Sequence, residues 1–219
     1  MSSGPRRALV VADGDVRLRP SDSDGRLVIA ADGGLLKAKA AGVRPDVVVG
    51  DFDSVPAGAV ESAEADGMQM LRYPTSKDES DTELAVREAI SRGATDVEIA
   101  GALGGQRIDH TLANLLLLAS PDLDASLAIV DGPVTVRVIG QRGAERLEID
   151  GGPGDLVSLL PLSEQVVGVT TGGLAYPLSG ATLRQGPTLG LSNELVGTRA
   201  RVAVERGRLA IVHTRREVG

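Results

Sequence analysis

Apolar and polar positions follow two different rhythms along the chain. Up to about Ala119, short apolar runs alternate with stretches of helical spacing. Residues 8–12, 27–31, 47–49 and 97–100 are mostly apolar and bounded by Gly or Asp, the pattern of strands covered on both faces. Residues 35–41, 57–66 and 81–91 read as helices between them. The stretch 81–91 carries an apolar stripe of Ala85, Val86, Ala89 and Ile90, a capping-box pair in Ser80 and Glu83, and Gly93 as a terminator. A further helix is predicted from near Asp109 through the leucines at 115–118. After about Asp131 the period shortens. Residues 134–139, 146–149, 156–160, 166–170, 201–205 and 209–213 read as short strands, several alternating, as in Val134, Val136 and Val138. The pattern predicts a Rossmann-like α/β domain with a parallel sheet, residues 1–125, followed by a small all-β sandwich or barrel, residues 132–219. The boundary is expected within residues 121–132.

Composition narrows what such a chain does. The 219 residues include 28 glycines but one Phe, two Tyr and no Trp, so the core has to be aliphatic and rows of base-stacking rings are unavailable. With no cysteine, disulfides, zinc–thiolate sites, iron–sulfur clusters and thiol nucleophiles are excluded. The two histidines, His110 and His213, are far apart in sequence, which disfavours a histidine metal site. A net charge of −7 gives no basic footprint for nucleic acid. The apolar run at 8–12 is too short for a membrane span or a signal-peptide core. A soluble, cytoplasmic protein is expected, with neither a membrane nor a nucleic acid as partner.

Candidate chemistry clusters after the predicted strands, where α/β sheets bind their ligands. Gly50-Asp51-Phe52-Asp53-Ser54 follows the run 47–49. On an extended backbone, Asp51 and Asp53 point to one side and suit Mg²⁺; alternatively they form a polar turn in which Ser54 caps a helix. Lys77-Asp78-Glu79-Ser80-Asp81 contains one of only three lysines, while Asp81 is equally explained by the dipole of the helix it opens. The segment from Gly101 to His110 offers Gly104 and Gly105 for close backbone approach to an anion and Arg107 for phosphate; as plain structure, Asp109 would cap a helix and His110 would sit in the core. Asp32-Gly33-Gly34 makes a similar turn after residues 27–31. In the β half, residues 170–178 and 190–195 read as loops.

In this order and spacing, the segments resemble the thiamine pyrophosphokinase family. The resemblance rests on Asp32-Gly33-Gly34, Gly50 to Ser54, Lys77 to Asp81, Gly104-Gly105 with Arg107 to His110, Thr170-Thr171-Gly172-Gly173-Leu174 and Ser192-Asn193-Glu194. It implies a nucleotide-binding α/β domain, a thiamine-binding β-sandwich and a homodimer. It also implies transfer of the pyrophosphoryl group of ATP to thiamine, with AMP released. By that pattern Asp51, Asp53 and Asp81 hold Mg²⁺, and Arg107 and Asp109 lie beside the phosphates. Asp32, Gly33, Gly34, Gly104 and Gly105 flank the nucleotide, and Lys77 and Asp78 line the crossing point of the substrates. Tyr176, Ser192 and Asn193 belong to the thiamine pocket at the subunit interface, and Leu195, at a position often aromatic in relatives, faces the thiamine rings. Asp78, Asp81 and Asp109 remain open as the general base. Two other functions stay in play: a nucleotide- or thiamine-binding module without turnover, and a pyrophosphokinase or phosphohydrolase acting on another alcohol or on water.

Overall fold

The computed structural model describes residues 6–141, 143 and 145–216. The chain divides into two compact units, Met1–Gly132 and Pro133–Gly219.

The first unit alternates strands and helices: β1 (Arg7–Val11), β2 (Leu27–Ala31), α1 (Gly34–Ala40), β3 (Val47–Gly50), α2 (Ala57–Ala65), β4 (Gln69–Arg72), α3 (Asp81–Ser91), β5 (Asp96–Ala100), α4 (Ile108–Leu117) and β6 (Ser126–Asp131). These strands are all parallel, in the order β6-β5-β1-β2-β3-β4. Buried positions run unbroken through β3 and through most of β1 and β2, as expected where both faces are covered. Right-handed crossovers place α1 and α2 on one face, and α3 and α4 on the other once the order turns back from β4 to β5. Leu35 of α1 and Ala63 of α2 accordingly pack with Ala30 and Val48 of the sheet. The helix α3 starts as its sequence predicts: Ser80 Oγ accepts from Glu83 N at 3.2 Å.

Two strands of this sheet lie outside the sequence prediction. The outer strand β4 is half-exposed, so its residues are not uniformly apolar. The strand β6 occupies residues read as the interdomain stretch, and pairs in parallel with β5.

The second unit is antiparallel throughout its named strands: β7 (Val134–Ile139), β8 (Glu145–Asp150), β9 (Leu156–Pro161), β10 (Gln165–Gly172), β11 (Ala181–Arg184), β12 (Asn193–Glu194), β13 (Arg199–Val204) and β14 (Leu209–Thr214). They form two layers, β12-β9-β14-β7 and β11-β10-β13-β8. The layers share a core that includes Ile139, Ile149, Leu159, Val166, Val202 and Ile211, with no aromatic ring. Sandwich packing of alternating aliphatic faces explains how a chain so poor in aromatics closes this unit. None of the helices formed by the described residues is long and apolar enough to cross a membrane.

Candidate active site

In the first unit the strand order reverses at β1, whose neighbours are β2 and β5. The carboxyl ends of the strands around that reversal carry most of the residues singled out from sequence.

The turn after β3 brings two carboxylates together by a route different from the expected one. Phe52 has φ of 63°, a left-handed conformation, so the backbone is not extended through Asp51-Phe52-Asp53. The turn sends the Phe52 ring into the core with Leu35, Val55 and Met68 and leaves Asp51 and Asp53 outside. Asp53 N donates to Asp51 Oδ1 at 3.1 Å, an Asx turn that fixes the Asp51 carboxylate. Arg72 seals the turn from β4: Nη1 donates to Asp51 O at 2.7 Å, and the guanidinium lies 4.7 Å from the Phe52 ring centre. Ser54 caps no helix, since α2 begins at Ala57; its hydroxyl donates to Asp32 Oδ2 instead.

Asp32 sits at the end of β2 with φ of 44°. One carboxylate oxygen from each of Asp32, Asp51 and Asp53 falls within 4.8 Å of the others. Asp32 Oδ1 is buried without a hydrogen-bond partner. Burial holds the Asp32 carboxyl above its ordinary value; Ser54 and the Gly33 N–H oppose the shift, and the nearby charges of Asp81 and Asp51 add to it. The Asp51 carboxyl is held low by the Asp53 N–H; burial acts the other way, and Thr75 and Lys77 support the lowering. A buried carboxylate oxygen without a donor, beside two further carboxylates, is the donor set that a hard divalent cation satisfies. Asp81, also expected among the ion's ligands, forms an ion pair with Lys77, Nζ to Oδ1 2.9 Å, and its charge adds to the raising of the Asp32 carboxyl. Burial opposes the Lys77 ammonium, but Asp81, Asp51 and Asp32 together hold its pKa above the usual lysine value. Asp78 is exposed on the loop between β4 and α3.

Glycines set how closely the strand ends approach. A Cβ on Gly33 would lie 2.5 Å from Asp13 Cγ, and one on Gly34 would lie 2.8 Å from the Val11 carbonyl carbon. A Cβ on Gly104 would lie 2.8 Å from Asp15 Cγ. These contacts reveal Asp13 and Asp15, at the end of β1, as neighbours of the site that the sequence reading passed over. Their signal was present: Asp13-Gly14-Asp15 follows an apolar run just as Asp32-Gly33-Gly34 does. Asp131, at the end of β6, was missed as well. Its carboxylate accepts from Gly101 N at 2.6 Å and Leu103 N at 3.1 Å, while Asn114 Nδ2 of α4 donates to Ala102 O at 3.0 Å. The two side chains hold the turn that presents Gly104 and Gly105. Beyond it, Arg107 grips Asp109 with Nε at 2.9 Å and Nη2 at 2.6 Å, both residues exposed. That hydrogen bond lowers the Asp109 carboxyl to about 2. His110 is exposed on α4, not buried as its structural reading expected.

The second unit's candidates divide. Tyr176 is 73% exposed, and Ser192 is exposed with φ of 55°. Asn193 is buried, and its amide is occupied by the chain itself: Oδ1 accepts from Tyr176 N at 3.0 Å and Nδ2 donates to Tyr176 O at 2.7 Å. It positions Tyr176. Leu195 corrects the expectation that it faces a substrate ring. It is 2% exposed, inside the core of the unit, because its strand segment alternates and residues 193 and 195 point inward together.

The raised pKa gives a signed prediction. A carboxyl that binds its proton more tightly when folded destabilises the fold as pH rises past the unfolded value, and the penalty is complete above the folded pKa. Asp32→Asn, which tolerates positive φ, is expected to leave the metal-free melting temperature at pH 7 unchanged or higher. Melting scans with and without Mg²⁺ check this: the wild type should gain stability from the ion and the variant should gain none.

Residues 22–130 match the family model described as "Thiamin pyrophosphokinase, catalytic domain", and residues 145–209 match "Thiamin pyrophosphokinase, vitamin B1 binding domain". A curated relative, thiamine pyrophosphokinase of Bacillus subtilis (strain 168), is 28% identical over 212 residues, covering 94% of this chain and 97% of that protein. A crystal structure of thiamine pyrophosphokinase from Bacillus subtilis superposes with a TM-score of 0.83 at 26% identity, over 96% of this chain and 99% of that one. The thiamin pyrophosphokinase of Candida albicans has the same fold, with a TM-score of 0.81 at 14% identity over 97% of this chain and 90% of that one. With both of its units matched in order, the chain belongs to the thiamin pyrophosphokinase family of enzymes.

Proposed function

We propose that the chain catalyses Mg²⁺-dependent transfer of the pyrophosphoryl group of ATP to the hydroxyethyl oxygen of thiamine, giving thiamine diphosphate and AMP. The observation that carries this reading is the meeting of Asp32, Asp51 and Asp53 at the strand ends, with the orphaned Asp32 oxygen among them. Asp51 and Asp53 with Asp32 would hold the ion, and Asp81 stands behind them on Lys77. The bound ion would neutralise the triphosphate and polarise the phosphorus under attack. Lys77 keeps its charge between Asp81 and Asp51 and is placed to meet phosphate oxygens. Arg107 exchanges Asp109 for phosphate, and Gly33, Gly34, Gly104 and Gly105 let the nucleotide come close to the backbone. The thiamine oxygen forms its bond to the β-phosphorus as the bond to the AMP oxygen breaks. The hydroxyl proton passes to a carboxylate, for which Asp78, Asp81 and Asp109 are the candidates.

Tyr176, held by Asn193, and Ser192 would contact thiamine. We also propose a homodimer with that pocket at the subunit interface. Ile108, Leu112 and Leu116 are 70%, 54% and 62% exposed and recur every fourth residue on α4, an apolar stripe that a second copy would cover. Absence of cysteine suits the cytoplasm as the working compartment.

Another acceptor, a different alcohol or water, is the second reading. It is favoured by Leu195 lying in the core, which leaves Tyr176 the one aromatic residue after Gly132. Purified protein with ATP, Mg²⁺ and thiamine separates the readings. AMP release that requires thiamine is the expected result. AMP or pyrophosphate formed equally well without thiamine would favour the second reading, and binding without turnover would contradict both.

A further inference from the structure

The second unit holds a cavity of about 200 Å³ between β7, β8 and β14. This is smaller than the roughly 300–1,000 Å³ of pockets that take a cofactor or drug-sized ligand, so it suits a compact ion. On β7, Thr135, Arg137 and Ile139 share one face, and Ile139 belongs to the core between the layers. Arg137 is therefore an inward-facing charge. It lies opposite Ile211 in the β7–β14 register, and Leu147 and Ile149 of β8 line the same cavity. Arg137 is half-buried, and a guanidinium partly withdrawn from water against aliphatic side chains favours an acceptor. Among the described residues, no hydrogen bond or ion pair of the Arg137 guanidinium exists. The same holds for Arg215, which is exposed and also lines the cavity.

The remaining polar wall is built from within. His213 is 7% exposed, and its Nε2 lies 2.9 Å from Asp155 Oδ2. Asp155 is itself buried and accepts from Gly152 N and Arg216 N, each at 2.9 Å. That fixed carboxylate sets the ring orientation and engages one nitrogen, and among the described residues Nδ1 has no hydrogen-bond partner. Glu148 and Asp150 also line the cavity, but Glu148 pairs with Arg146 at 3.4 Å and Asp150 with Arg199 at 3.0 Å. Among the described residues these two carboxylates have cationic partners, while Arg137 and Arg215 have no anionic one.

We propose that this cavity binds a compact oxyanion, a phosphate or a carboxylate, held by the Arg137 fork and Arg215 with Thr135 and His213 completing the polar wall. Arginine presents several N–H donors in a planar fork matched to either group. The site is distinct from the strand-end carboxylates of the first unit and does not rest on the pyrophosphoryl-transfer reading.

The two histidines make the test direct, because the imidazole NMR spectrum contains only His110 and His213. The full-length protein is titrated with inorganic phosphate and, separately, with sodium acetate, at fixed pH and with ionic strength held constant by sodium chloride. The His213 ring signals are expected to shift saturably with at least one of the anions, while His110 does not follow the same curve. In Arg137→Gln the apparent affinity should fall at least tenfold. Arg215→Gln, at an exposed position, should weaken binding in the same direction and carries the test if Arg137→Gln does not fold. Saturation with phosphate or with acetate assigns the preferred head group. His213 signals that stay still in both titrations, or that move identically in the wild type and both variants, would overturn the proposal.

Discussion

Asp51→Asn is expected to lower thiamine-dependent AMP formation about a hundred- to a thousandfold, as losing one preorganised electrostatic group does in other enzymes. Its effect on the free energy of unfolding should stay under about 0.5 kcal/mol, the usual range for surface positions. The separation follows from geometry. Asparagine keeps the Oδ1 acceptor that receives the Asp53 N–H, so the turn survives. The Arg72 bond goes to the Asp51 backbone oxygen and is untouched, as is the Phe52 ring in the core. What disappears is a carboxylate held ionised by its surroundings, next to Asp32 and Asp53. Steady-state kinetics with a Mg²⁺ titration, paired with urea unfolding, checks both halves. An active variant would remove Asp51 from the ion site; an inactive variant that has also lost its stability would make the residue structural.

Gly34→Ala is expected to destabilise the protein by about 2 kcal/mol, although it places the best helix former at the first position of α1. Propensity alone favours alanine by about 1 kcal/mol. Against it, the new Cβ would stand 2.8 Å from the Val11 carbonyl carbon and closer still to its oxygen. Val11 cannot yield easily: it is fully buried, and β1 is bonded to β2 on one side and β5 on the other. Overpacking against a fixed backbone costs about 1–3 kcal/mol or more, a large part of a stability of roughly 5–15 kcal/mol. Urea unfolding measures the change. An unchanged or higher midpoint would mean that β1 and α1 separate more freely than their packing shows.

These two positions mark what could be read from sequence. The α3 helix and the strands β2 and β7 occupy the residues that their hydrophobic pattern indicates, because each lies between clear stops and has one dominant period. The outer strand β4 has no such contrast, being half-exposed. The β6 run lies inside residues 121–132, the stretch where the change of rhythm places the domain boundary. Missing β6 hid Asp131, whose hold on the Gly101–Leu103 backbone depends on that strand lying beside β5.

In the site, Asp51 and Asp53 were legible as a pair, but their shared side comes from the positive φ of Phe52, a conformation unusual for a bulky residue. Asp32 was legible as a turn residue; its place beside them depends on β2 and β3 pairing in parallel. Leu195 was set against the thiamine rings by the family resemblance alone, whereas its own strand segment turns it into the core. In the structure Asn193 and Leu195 are buried and Ser192, Glu194 and Val196 exposed, an alternation that the residue types, with a polar side chain inside and an apolar one outside, do not announce.

The most direct test of the proposed chemistry is the identity of the products. Phosphorus-31 NMR of a reaction containing ATP, Mg²⁺ and thiamine should show AMP and thiamine diphosphate growing in equal amounts, with neither ADP nor thiamine monophosphate as a product. ADP formed together with thiamine monophosphate, or phosphate release indifferent to thiamine, would contradict transfer of the intact pyrophosphoryl group.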